Sequence, residues 1–170
     1  MNYYKGLGLN QLELLEAGNE MKNQPAKRIN IVSLKLVKES SLLYKERNIR
    51  SPRDAYKLMK HFLGDLDREA FIVISLDVKN PPLSINICHI GSLNASIVHP
   101  REVMKSAILS NAASIMGGHN HPSGNSSPSN EDIEVTKRLA EAGKIVGIEL
   151  LNHIIVGDDN FLSFKEKGYL

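Results

Sequence analysis

The stretch Ala112-Ala113-Ser114-Ile115-Met116-Gly117-Gly118-His119-Asn120-His121-Pro122-Ser123-Gly124-Asn125-Ser126-Ser127-Pro128-Ser129-Asn130-Glu131-Asp132 changes character twice. Ala112 to Met116 is short and apolar enough for a buried strand. His119 to Asn130 is a polar loop rich in Gly, Pro and Ser, and Asn130 to Ala142 reads as a helix. Ser129 is a good N-cap for that helix, and Asp132 stands where a capping box needs its acidic partner.

Working outward, Pro100 opens another helix carrying Val103, Met104, Ala107 and Ile108. Glu149 to Val156 is the next strand, Gly157 to Asn160 a turn, and Phe161 to Tyr169 a short tail. Phe71 to Val78 is apolar at nearly every position, as a central strand covered on both faces requires. Asn80-Pro81-Pro82 enforces a turn into a neighbouring strand, Ser84 to Ile90. Ser51-Pro52-Arg53-Asp54 starts a helix that buries Ala55, Leu58, Met59 and Phe62 and stops at Gly64. Further forward, Asn10 to Lys22 reads as a short surface helix, and Arg28 to Lys38 alternates imperfectly, as an edge strand does. Strands and helices interleave, which predicts a mixed three-layer α/β fold with helices on both faces of a central sheet. The expected division is an N-terminal extension over residues 1–45 and one domain over 46–170.

Composition bounds the function. The chain has 170 residues, 42% of them hydrophobic and 24% charged, as in an ordinary globular domain rather than a disordered or fibrous one. No apolar run approaches the roughly 20 residues needed to cross a bilayer, and no secretory leader is evident at the N-terminus. Cys88 is the only cysteine, so neither an internal disulfide nor a thiolate metal cluster can form, which fits a cytoplasmic location. Residues 1–60 carry 12 Lys and Arg against 6 Asp and Glu, while residues 61–170 carry 9 against 13, giving +6 and −4. The basic leading segment is either a solvated surface or a weak nucleic-acid contact.

His119 and His121, two apart on an extended chain, point to one side at the strand's end, and Pro122 stops further pairing. A reversal through Gly124 and Pro128 can bring Asp132 back over the same point. Two imidazoles and a carboxylate would then leave a fourth position to water, the open arrangement of catalytic zinc. Two His and one carboxylate can also hold iron(II), though zinc ranks ahead of it here; a His-x-His pair alone reads as polar surface, and it is the pairing with Ser129 and Asp132 across a Gly and Pro loop that favours a metal site.

The string Gly118-His119-Asn120-His121-Pro122-Ser123-Gly124, with Pro128-Ser129 and Asp132 at matching offsets, resembles the RadC branch of the JAMM (MPN-plus, JAB) metalloprotease superfamily. Val98-His99-Pro100-Arg101-Glu102, Thr136-Lys137-Arg138-Leu139 and His153-Ile154-Ile155-Val156-Gly157 are similar too, so the resemblance runs from about residue 45 to the C-terminus. It implies a curved mixed sheet flanked by helices, the cytidine deaminase-like JAMM fold. It also implies one zinc ion on His119, His121 and Asp132, and hydrolysis of a peptide or isopeptide amide. Glu69, just before the first central strand, would be the general base, and Ser129 would donate to the oxyanion.

Two departures from the pattern stand out. Asn152 occupies a position where Asp is more usual; if that residue supports a ligand, the amide removes a charge and weakens metal binding. Longer RadC proteins carry a helix-hairpin-helix domain in front, whose Gly-containing hairpins residues 1–45 lack. The resemblance therefore leaves three expectations: a zinc hydrolase acting on a protein or peptide, a DNA-repair or recombination accessory, or a JAMM module that binds protein without turnover. Cys88, among apolar neighbours, reads as a small buried residue.

Overall fold

The computed structural model describes residues 27–91 and 98–170, so the expected helix over Asn10 to Lys22 lies outside the described residues. The chain divides into two units, residues 1–33 and 34–170. Residues 27–33 of the first are exposed and form neither helix nor strand.

In the second unit, helix α1 (Pro52–Leu63) begins at a complete capping box. The Ser51 hydroxyl accepts the Asp54 N–H, and the Asp54 carboxylate accepts the Ser51 N–H. Helix α2 (Pro100–Leu109) has Pro at its first position, with His99 as N-cap, and helix α3 (Asn130–Val146) ends at Gly147 in the left-handed conformation. The strands are β1 (Ala70–Leu76), β2 (Pro82–Ile90), β3 (Ser114–Asn120), β4 (Glu149–Val156) and β5 (Phe161–Ser163).

They form one mixed sheet in the order β2-β1-β3-β4-β5, in which only β3 and β4 run parallel. That parallel pair needs a crossover, and α3 supplies it. Every residue of β1 and of β3 is buried, because helices cover both faces. Ala70, Ile72, Ile74 and Leu76 face α1 with Leu58, Met59 and Leu63. Phe71 and Val73 face the other way, into a cluster with Val103, Met104 and Ala107 of α2 and Val135 and Leu139 of α3. The alternation along β1 therefore feeds two cores, one on each side of the sheet, and the three-layer mixed α/β architecture is the one expected. Gly118 lets the helix come close: a Cβ there would collide with the thioether of Met59.

Four local expectations are corrected. Arg28 to Lys38 forms no strand; Ile29, Ile31, Val32, Leu34 and Val37 are exposed, and none of the five strands of the sheet comes from it. Alternation alone does not make a strand: with no partner strand among the described residues, nothing there satisfies the ladder hydrogen bonds. Strand β3 starts two residues later than Ala112 and runs on past Met116 to Asn120, which places His119 at the strand's end as the His-x-His spacing requires. The expected tail contains β5, a three-residue strand paired with β4. Ile108, placed with the apolar residues of α2, is exposed, and Phe62 is only partly buried.

Candidate metal centre

The carboxyl end of β3 and the amino end of α3 meet at one point. Past Asn120 the chain turns at once: the Gly124 N–H donates to the His121 carbonyl at 2.9 Å, closing a tight turn with Gly124 at φ +76°. The loop then delivers α3 so that its first turn faces the end of β3.

Three side chains converge there. His119 Nε2 lies 3.0 Å from His121 Nε2 and 3.2 Å from Asp132 Oδ1, and His121 Nε2 lies 3.5 Å from Asp132 Oδ2. Donors about 2.0–2.1 Å from a tetrahedral ion are about 3.3 Å apart, so these spacings fit a single small cation. The donor set of two imidazole nitrogens and a carboxylate, with every potential ligand atom within 4.8 Å of the others, could hold a metal ion. His119 is fully buried and Asp132 nearly so, while His121 is partly open to solvent.

Asp132 does two jobs with one carboxylate. Its Oδ2 accepts the Ser129 N–H at 2.8 Å, and its own N–H donates to Ser129 Oγ at 3.1 Å, completing the α3 capping box. The cap fixes the rotamer that aims the carboxylate at the two imidazoles, so helix capping and metal binding do not compete. Burial alone would raise the Asp132 pKa; the contacts with the His119 and His121 rings and the hydrogen bond from the Ser129 N–H overcome it and hold the carboxyl well below the usual range. The positive end of α3 acts in the same sense. Burial pushes His119 toward its neutral form against the pull of Asp132, whereas contact with the Asp132 carboxylate favours the charged form of His121 and raises its pKa.

Glu69 is the residue immediately before β1 and is half-buried. Its negative charge acts on both His119 and His121. The backbone around it is clamped to the end of β3 by Asn120, whose amide accepts the Ala70 N–H at 2.8 Å and donates to the Arg68 carbonyl at 3.1 Å. Ser129 is exposed at the mouth of the site.

Asn120 is one of three residues that sequence reasoning missed. The others are Thr136 and His153: His153 Nε2 is 2.8 Å from His119 Nδ1, and His153 Nδ1 is 2.6 Å from Thr136 Oγ1. A histidine in the middle of β4, followed at once by Ile154, Ile155 and Val156, was the available signal, since a buried imidazole needs partners for both nitrogens. The concern over Asn152 is corrected. Its side chain turns to the C-terminal segment, accepting the His153 and Lys165 N–H groups and donating to Ser163 Oγ, and it is the next residue that touches a candidate ligand. Cys88 is half-buried on β2, away from this cluster, and burial pushes its thiol up to about 12.

By fold and site this is an α/β domain with a candidate metal centre at the junction of a central strand and a crossover helix. Residues 49–169 match the RadC-like JAB domain, and the chain belongs to that family, as the motif resemblance implied. It is similar to a UPF0758 protein of Geobacillus sp. (strain WCH70), 57% identical over 122 residues that make up 72% of this chain and 54% of the relative. A UPF0758 protein of Bacillus cereus (strain G9842) is 55% identical over 130 residues, 76% of this chain and 58% of that one. The archaeon Methanosarcina mazei has another, 51% identical over 125 residues, with 74% and 55% covered. The chain spans about half the length of these curated relatives. No helix among the described residues is long and apolar enough to cross a membrane.

Proposed function

We infer that this chain is a zinc-dependent hydrolase that cleaves a peptide or isopeptide amide bond. The observation that carries the reading is the convergence of His119 Nε2, His121 Nε2 and the Asp132 carboxylate on one point, where the charge of Glu69 acts on both imidazoles and the Ser129 hydroxyl holds the Asp132 N–H. Zinc suits two imidazoles and a carboxylate, and when bound it supplies a water of pKa about 7 and an electrophile for the scissile carbonyl.

The chain's own residues do the rest. Glu69, whose charge reaches both imidazoles, takes the proton from the attacking water and delivers it to the leaving nitrogen. Ser129 uses an oxygen lone pair on the Asp132 N–H, which leaves its hydroxyl hydrogen free to donate to the developing oxyanion. His119, fully buried, excludes water from the inner side of the site, while the exposure of Ser129 leaves the outer side open for a protein or peptide chain.

The test is to incubate zinc-loaded protein with a library of peptides and lysine-linked isopeptides and to count newly released amines by mass spectrometry. Wild type should release amines and Glu69→Gln should not. Equal release by both, or by neither across the library, contradicts the reading.

A further inference from the structure

The contacts behind His119 run in one direction. Thr136 Oγ1 lies 2.7 Å from the main-chain carbonyl of Asp132, one helical turn earlier in α3. A carbonyl only accepts, so the hydroxyl hydrogen points there. Thr136 Oγ1 is also 2.6 Å from His153 Nδ1, and with its hydrogen already used it must accept, so the hydrogen of that contact belongs to His153 Nδ1. In a neutral ring His153 Nε2 is then a lone pair, and the hydrogen of its 2.8 Å contact with His119 belongs to His119 Nδ1. That leaves His119 Nε2, the atom facing Asp132 and His121, as a lone pair. The His153 ring is itself held, stacked on Phe164 at 4.6 Å between centroids and met edge-on by Phe71 at 5.3 Å.

We propose that Thr136 and His153 are positioning residues that fix His119 in the Nδ1–H tautomer, and that the Thr136 hydroxyl thereby sets how tightly the centre takes zinc. The inference rests on the metal reading of the site. Without the hydroxyl, His153 loses the acceptor for its Nδ1–H; the ring then gains by moving its proton to Nε2, and His119 is driven to protonate the nitrogen that has to bind metal. Residues that orient a ligand in this way are typically worth about 10- to 100-fold in metal affinity.

The experiment is competition for zinc between the full chain and a chromophoric chelator, for wild type, Thr136→Val and Thr136→Ser, with thermal melting of each metal-free protein. Valine keeps the shape and removes the hydroxyl; serine keeps the hydroxyl. The expected result is about 10- to 100-fold weaker binding for Thr136→Val, recovery to within a few-fold for Thr136→Ser, and similar melting of all three. Wild-type affinity in Thr136→Val, or a Thr136→Ser as weak as it, overturns the relay while leaving the metal centre standing. A wild-type chain that takes up no zinc overturns the metal reading and this inference with it. Should Thr136→Val not fold, long-range proton–nitrogen NMR of the zinc-loaded wild type decides: the His153 proton belongs on Nδ1, and finding it on Nε2 overturns the relay.

Discussion

His121 and His119 bring their Nε2 atoms to 3.0 Å, while His121 Nδ1 sits 2.6 Å from the carbonyl oxygen of Asn125. The carbonyl requires a hydrogen on Nδ1, so a neutral His121 turns a lone pair toward His119. The contacts behind His119 turn a lone pair back. Two lone pairs at that distance, with a carboxylate beside both, repel unless a proton or a metal ion lies among them, and the zinc proposed above would supply that charge.

Glu69→Gln is isosteric and leaves the three candidate ligands untouched. It should keep zinc at wild-type stoichiometry and lose amide hydrolysis by about 100-fold or more, the usual range for a general base. Parallel metal analysis and amine release check this; an unchanged rate removes Glu69 from the mechanism.

Asn120→Ala removes the clamp between β3 and the start of β1. The Ala70 N–H and Arg68 carbonyl lose their partner, at a cost of about 1–3 kcal/mol read from urea unfolding. Because the clamp holds the backbone on either side of Glu69, turnover should fall while bound zinc stays. Full turnover with the same loss of stability would make Asn120 structural only.

Ser129 has a capping role and a proposed role toward the oxyanion, and substitutions separate them. Ser129→Ala should lower stability by about 1 kcal/mol and lower turnover as well. Ser129→Asp restores a capping acceptor without a donor, so it should recover stability in urea unfolding and not turnover. Recovery of both would leave only the cap.

Cys88 offers a check on the fold away from the centre. With its thiol pushed up to about 12 by burial and, next, by the charge of Glu102, only on the order of 1 in 10,000 molecules is thiolate at pH 8. Since the thiolate is the reactive form and its fraction grows tenfold per pH unit below the pKa, iodoacetamide labelling of the native protein should be slow at pH 8 and climb tenfold at pH 9. Rapid labelling at pH 8, matching the urea-unfolded chain, would contradict the packing of β2 against α2.

Local signals in the chain translated well where one element decides its own shape. Ser51, Pro52 and Asp54 mark the start of α1 because a cap involves only neighbours in sequence, and the stretch from Glu149 to Val156, rich in Leu, Ile and Val, gives β4 its full extent. The approach of Asp132 to His119 and His121 was legible because a Gly and Pro loop between a strand end and a helix start leaves few other paths. What escaped depends on distant partners. Arg28 to Lys38 alternates like a strand yet supplies none of the five strands of the sheet, and β5 exists only because Phe161, Leu162 and Ser163 meet β4. Thr136 and His153 lie on different elements, and nothing local says that their side chains meet behind His119. Asn152 misled for the same reason, since its neighbour and not its own side chain faces the site.

The central claim, that His119, His121 and Asp132 hold a metal ion, is tested most directly by elemental mass spectrometry of the purified chain beside His121→Ala. Asp132→Ala is the poorer choice, because it also breaks the α3 capping box. The wild type should carry about one zinc per chain and His121→Ala close to none, with the variant's metal-free fold unchanged by circular dichroism. A wild type that binds no metal when zinc is supplied, or a His121→Ala that retains it in full, would contradict the account.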